Sequence, residues 1–241
     1  MDFTFNGKHK RLQDTDLPEL GALIDVGEDE IHAFLDVETR GAGFDSKGRI
    51  KMLFEPHIFY REIRPDARAR AVEDGLAYKK WGTKRYPRDS YPRLKMAMAH
   101  DPEAALRSCS WGLGQIMGFN HKLAGFPSAA DMVEAFRRGE KEQLRGAINF
   151  IEANALDDDL REHDWHGFAR GYNGPGYRKN GYAKKLAQAF AKWSEIPDTP
   201  WAPVQRQPSL PKQSPMKTPE AATAPVSGRL AAIFARIWRK P

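Results

Sequence analysis

One cysteine in 241 residues leaves Cys109 without an intramolecular partner, so no disulfide framework holds this chain together. No uninterrupted apolar run approaches the roughly 18–20 residues that a helical membrane span requires, which excludes an integral helical membrane protein. Residues 1–13 (MDFTFNGKHKRLQ) lack both an apolar core and a small-residue cleavage site. No secretory leader is expected there, and synthesis in a cytoplasm is. The histidines show no metal-ligand spacing. Glu162-His163-Asp164-Trp165-His166 reads as a solvated segment opening a helix rather than a zinc site, so neither a metal nor a cofactor is expected. The glycines at 112, 114 and 118 are not followed by Lys-Ser/Thr and so do not form a phosphate loop. Residues 61–93 are locally basic, but no helix-turn-helix, zinc or aromatic-platform pattern accompanies them. Nucleic acid is therefore not an expected partner; a solvated face or an anionic cell-wall surface is.

Charge and proline locate the boundaries. Residues 1–196 hold 31 basic and 30 acidic side chains, while residues 197–241 hold 7 and 2. Eight of the 17 prolines fall between Pro197 and Pro225, in a stretch without hydrophobic periodicity. Residues 197–226 read as an extended linker that buries no core. In residues 227–241, Leu230, Ile233, Phe234, Ile237 and Trp238 follow the i, i+3, i+4, i+7, i+8 rule, and Arg229, Arg236, Arg239 and Lys240 fall largely on the rest of the wheel. The spacing predicts a short cationic amphipathic helix, suited to an anionic membrane surface or to docking on the main domain. Residues 1–16 read as an N-terminal extension and 17–196 as the main domain.

That domain has mostly helical grammar. Asp16 and Pro18 open one helix; a second runs from about Glu28 to the Glu38–Gly41 region. Residues 49–60 (RIKMLFEPHIFY) are richer in β-formers and predict a short strand or hairpin. Asp101-Pro102 and Ser128-Ala-Ala-Asp131 are helix starts. Leu144, Ala147, Ile148 and Ile151 form a helical stripe, as do Tyr182, Leu186, Ala189, Phe190 and Trp193. The expected fold is α+β, predominantly helical, with a small β lobe between residues 45 and 60.

Three stretches break this grammar. In Val37-Glu38-Thr39-Arg40-Gly41-Ala42-Gly43-Phe44, a glutamate ends an amphipathic helix. The negative end of a helix disfavours a carboxylate anion, and an apolar wall disfavours it further, so Glu38 is a candidate proton donor near neutral pH. The same residues also fit a surface glutamate beside a glycine helix stop. In Ser108-Cys109-Ser110-Trp111-Gly112-Leu113-Gly114-Gln115-Ile116-Met117-Gly118-Phe119-Asn120, the glycines permit close backbone approach, to a ligand or between helices. Trp111 offers a flat face for a sugar ring, and Gln115 and Asn120 offer donors and acceptors. In Phe168-Ala169-Arg170-Gly171-Tyr172-Asn173-Gly174-Pro175-Gly176-Tyr177, two tyrosines flank a turn, with hydroxyls able to reach the acid or a substrate oxygen. Core tyrosines beside a loop are the plainer alternative.

In this order the three stretches resemble those of goose-type lysozymes and soluble lytic transglycosylases, in the lysozyme-like superfamily. Glu38, Ser110 through Ile116, and Ala169 through Gly174 occupy the positions of that superfamily's helix-ending glutamate, Ser-x-Gly-Leu-x-Gln-Ile and Ala-Tyr-Asn-x-Gly segments. Arg170-Gly171, inserted between Ala169 and Tyr172, loosens the third match. Residues 17–193, including Leu53-Phe54-Glu55-Pro56-His57-Ile58-Phe59-Tyr60, more closely resemble phage and prophage N-acetylmuramidase (endolysin) domains. The resemblance implies a two-lobed lysozyme-like domain cutting the β-1,4 bond between N-acetylmuramic acid and N-acetylglucosamine in peptidoglycan. Glu38 would be the general acid, and Ser110, Trp111, Gln115, Asn120, Tyr172, Asn173 and Tyr177 would bind substrate.

An inverting hydrolase needs a second carboxylate about 6.5–9.5 Å from the acid. Glu55, placed mid-strand in an apolar setting, is the favoured candidate over Asp45, with a buried ion pair to an arginine or His57 as the alternative role. A lytic transglycosylase needs no such base and remains open, as does a non-catalytic envelope-binding or membrane-active protein. A monomer is expected, accumulating in the host cytoplasm until lysis.

Overall fold

Three of the helices begin at a side-chain cap. In the computed structural model, which describes residues 5–38, 42–174 and 176–202, the Asp101 carboxylate accepts from the Ala104 N–H at 3.0 Å and the Ser128 hydroxyl from the Asp131 N–H at 3.0 Å. The elements follow in order: α1 (Asp16–Gly21), α2 (Glu28–Glu38), β1 (Met52–Phe54), α3 (Pro56–Glu62), α4 (Pro65–Glu73), α5 (Tyr91–His100) and α6 (Pro102–Arg107). Then come β2 (Cys109–Trp111), β3 (Ile116–Met117), a 3₁₀ turn (Gly118–Asn120), α7 (Ala129–Arg137), α8 (Glu140–Ala153), α9 (Asp157–Arg161), α10 (Trp165–Asn173), α11 (Tyr177–Asn180) and α12 (Tyr182–Trp193). The fold is α+β and mostly helical.

The core forms around α8, whose Leu144, Ala147, Ile148 and Ile151 are fully buried. Helix α2 packs on α10 and α12 through Phe34, whose ring meets Tyr172 edge-on at 5.2 Å and Phe168 at 6.2 Å. His32 stacks on Trp193 at 3.7 Å, and the Trp193 indole N–H donates to Asp36 at 2.9 Å. These contacts fix the C-terminal end of α2 beside the end of α10.

The β structure differs from the expected hairpin over 49–60. Only Met52–Phe54 is a strand, and residues 56–62 are helical. Pro56 lacks an N–H and has its φ preset for a first helical turn, so Glu55-Pro56 starts a helix instead of continuing a strand. The missing strands come from far along the chain. The sheet is antiparallel in the order β1-β2-β3, with Met52 opposite Trp111, Phe54 opposite Cys109 and Ser110 opposite Met117.

Residues 5–13, expected as an extension, lie against the domain. Phe5 is buried, stacked on Trp111 at 5.8 Å and tilted against Tyr91 at 5.1 Å. Gly7 N–H donates to the Gly48 carbonyl at 3.0 Å and Lys8 N–H to that of Arg137 at 2.9 Å. Burying one phenylalanine stabilises by about 1.5–3 kcal/mol, which adds to the backbone hydrogen bonds that hold the strap. At the other end, residues 197–202 carry no regular structure. The rest of the expected linker and the whole of the expected amphipathic helix at 227–241 lie outside the described residues. Among those described, no helix is long and apolar enough to cross a membrane.

Candidate active site

Glu38 is the last residue of α2 and is only 1% exposed. Its Oε1 accepts a hydrogen bond from Asn173 Nδ2 at 2.8 Å, from the last residue of α10. Its Oε2 is buried and has no hydrogen-bond partner among the described residues, and the same is true of Asn173 Oδ1. Burial pushes the Glu38 carboxyl up to about 7, against smaller lowering effects of the Asn173 hydrogen bond and the Lys185 charge. The negative end of α2 acts in the same direction as burial. Near neutrality a large share of the molecules therefore carry a neutral carboxylic acid with one oxygen unengaged. Unpartnered buried polar atoms are uncommon in folded proteins, and two side by side fit a place where a ligand supplies the missing partners.

The second stretch reaches this point through Tyr172. Its hydroxyl donates to the Gly114 carbonyl at 2.8 Å, tying α10 to the turn of the β2–β3 hairpin. Gly114 lies so close to Ala147 and the Tyr172 hydroxyl that any side chain there would collide with them. Within the hairpin, Ser110 Oγ donates to Gln115 Oε1 at 2.9 Å, and Gln115 Nε2 donates to the Gly112 carbonyl at 2.8 Å. Gln115 holds φ at 48°, a left-handed conformation unusual outside glycine, and these two hydrogen bonds maintain it. Glu38 thus meets Asn173, and Tyr172, the residue before Asn173, meets the Gly112–Gln115 turn.

Sequence reasoning missed the support beneath them. Gln143, fully buried in the first turn of α8, accepts from the Leu113 N–H at 2.9 Å and donates to the Phe136 carbonyl at 3.1 Å. Glu140, 4% exposed, accepts from the Gly43 N–H at 2.8 Å and pairs with Arg11 at 3.0 Å. One helical turn therefore holds both the hairpin tip and the segment that follows Glu38. The signal was present: Glu140 and Gln143 continue the Leu144–Ile151 stripe toward its N-terminus as polar residues on a buried face.

Two expected substrate contacts, Trp111 and Tyr172, are corrected. Trp111 is fully buried, its indole N–H donates to the Leu106 carbonyl at 3.0 Å, and its ring packs on Phe5, so no sugar reaches it. Tyr172 is equally buried, and its hydroxyl is committed to Gly114. It positions the hairpin and offers no free hydroxyl to a substrate. Asn120 is buried in the 3₁₀ turn, with its Nδ2 unpartnered among the described residues. Tyr177 lines a groove with Trp165 and Tyr182, its hydroxyl 3.3 Å from His166 Nδ1 and accepting from Arg178 Nε at 3.2 Å.

Glu55 stands at the junction of β1 and α3 instead of mid-strand, and is fully buried. Tyr86 donates to its Oε2 at 2.5 Å, and His57 Nδ1 lies 3.2 Å from the same oxygen. Burial first, then the Glu55 charge, hold the Tyr86 phenol well above its usual range, so it remains a hydrogen-bond donor. The charged group that acts on Glu38 is Lys185.

The N-acetylmuramidase family pattern matches residues 28–194. The chain is also similar to the crystal structure of the Burkholderia AP3 phage endolysin, with a TM-score of 0.72 and 35% identity over 78% of this chain and 73% of that one. Curated protein sequences give no match. On the pattern and on that likeness, the chain belongs to the N-acetylmuramidase family and is a glycoside hydrolase of the lysozyme type.

Proposed function

We propose that the protein is a phage-type endolysin that cuts the β-1,4 bond between N-acetylmuramic acid and N-acetylglucosamine in peptidoglycan, with Glu38 as general acid. The observation that carries the reading is the buried Glu38 carboxyl, pushed up to about 7, with Oε2 unpartnered beside the unpartnered Asn173 Oδ1. Protonated Oε2 would donate to the glycosidic oxygen as positive charge develops at the sugar carbon. Asn173 Nδ2 would hold the other oxygen, and its Oδ1 would accept from a substrate N–H or O–H. Glu38→Gln keeps the shape and removes the acid, so purified peptidoglycan should no longer be cleared; clearance at the native rate would overturn the reading.

The fate of the sugar carbon depends on what attacks it. Glu55 is the candidate base for hydrolysis: Tyr86 donates to its Oε2, and its buried Oε1 has no hydrogen-bond partner among the described residues. The alternative is an intramolecular route, in which the muramyl C6 hydroxyl attacks and no protein base is needed. Mass spectrometry of the products decides: a free reducing end supports hydrolysis, and a 1,6-anhydro sugar lighter by one water identifies a lytic transglycosylase.

In the same reading the protein accumulates in the host cytoplasm until lysis, and the basic segment 227–241 meets anionic envelope lipids. Removing residues 197–241 should leave activity on purified walls and weaken action on intact Gram-negative cells. Equal potency on intact cells would remove that role.

A further inference from the structure

From Trp165 to Ser194 the chain carries Arg170, Arg178, Lys179, Lys184, Lys185 and Lys192 and no acidic residue, although residues 1–196 as a whole are nearly balanced. The acid just before this run, Asp164, is used as a cap, accepting from the His166 and Gly167 N–H groups. Among the described residues none of Arg170, Arg178, Lys179, Lys184 or Lys185 forms an ion pair. Between α10, α11 and α12 this run encloses a groove of about 420 Å³. Trp165, Tyr177, Tyr182 and Ala187 give it apolar walls, and Arg178 and Lys184 stand on its lining. The Tyr177 hydroxyl is held between His166 and Arg178, which fixes that wall.

The groove belongs to the same three-helix unit as the acid. Asn173, which holds Glu38, closes α10, and Lys185, which acts on Glu38, sits beside Lys184 on α12. A ligand entering it must match both an apolar wall and unpaired cations. A bare sugar chain does so less well, because its hydroxyls need many polar partners and, stripped of peptide, it offers one lactyl carboxylate per muramyl residue and no apolar side chain. A short acidic peptide does so well: its methyl groups cover aromatic faces and its carboxylates meet the guanidinium and ammonium groups.

We propose that this groove binds the carboxylate-rich peptide stem attached to the muramyl residue, so that the enzyme reads the peptide as well as the glycan. The inference rests on the peptidoglycan reading above but not on the role of Glu38. It is therefore tested by binding, in the full chain carrying Glu38→Gln, with mass spectrometry of each probe after the titration to show that it is still intact. Three probes are compared by calorimetry or line broadening: stem-bearing muropeptide, the same glycan stripped of peptide, and vesicles containing phosphatidylglycerol. Stem-bearing muropeptide should bind at least tenfold more tightly than stripped glycan. Adding Lys184→Glu, or Arg178→Glu with Lys184→Glu, should abolish that difference. Equal binding of both glycans, or a preference that survives both charge reversals, overturns the proposal. Vesicle binding lost on charge reversal, without any stem preference, assigns the groove to lipid instead. A circular dichroism melt of each variant identifies any that has merely unfolded, and Lys184→Glu alone then carries the test.

Discussion

Glu38 and Glu55 are both glutamates with essentially no solvent exposure, in one small domain, and they are equipped for different work. Glu38 closes a helix and faces its negative end; Glu55 precedes a helix and faces its positive end. Glu38 is held by a neutral amide on one oxygen, with the other unengaged. Glu55 accepts from a phenol on one oxygen, with an imidazole nitrogen 3.2 Å from it, and its other oxygen is likewise unpartnered among the described residues. Burial alone therefore does not mark an acid catalyst. Helix polarity and the kind of donor attached set the two carboxyls apart.

The largest expected effect divides the two directly. Glu38→Gln should lower the rate on purified peptidoglycan by about 10²–10⁴. Glu55→Gln should cost about tenfold or less in rate, together with a lower melting temperature as the Tyr86 contact rearranges. An equal rate loss in Glu55→Gln with an unchanged melting temperature would break the comparison and make Glu55 the second catalytic carboxylate.

Next comes stability against pH. The Glu38 carboxyl is raised from 4.5 to about 7 on folding. Between those values the unfolded chain sheds a proton that the folded chain retains, so this group favours folding at low pH and that advantage is lost as pH rises. Above about pH 7 the cost reaches about 3 kcal/mol. Glu38→Gln should therefore melt higher than the native protein at pH 8, and the gain should shrink towards pH 5. A gain that grows on acidification would contradict the assigned shift.

Smaller again, Asn173→Ala removes a hydrogen bond that lowers the Glu38 titration. The alkaline limb of the pH–rate profile should move to higher pH while the rate falls about tenfold, equivalent to one lost charge-assisted hydrogen bond. A limb that stays put would detach it from Glu38. The smallest effect sharpens the other side: Tyr86→Phe should cost about 1–3 kcal/mol in stability by unpairing a buried carboxylate oxygen, with the pH–rate profile unmoved.

What the sequence made legible was local. The helix ending at Glu38, the caps at Asp101 and Ser128 and the α8 stripe depend on neighbours within a turn or two, and the structure has each of them. Long-range pairing was not legible. Strand β1 finds its partner 57 residues away, so a stretch of β-formers read as a hairpin contributes one strand and then a helix. Trp111 shows why composition misleads about exposure: a tryptophan among glycines suits a sugar platform, but Phe5 from the far end of the chain covers it. Gln143 and Glu140 act on segments about 30 and 97 residues away, beyond any motif.

The strap at residues 5–13 bears on how this domain should be cut. The recognised family stretch begins at residue 28, yet an aromatic wedge from upstream lies under the hairpin that faces the acid. Excising the protein at the family boundary would uncover an indole and loosen the hairpin packed on it. The unit that folds is thus larger than the unit that homology outlines.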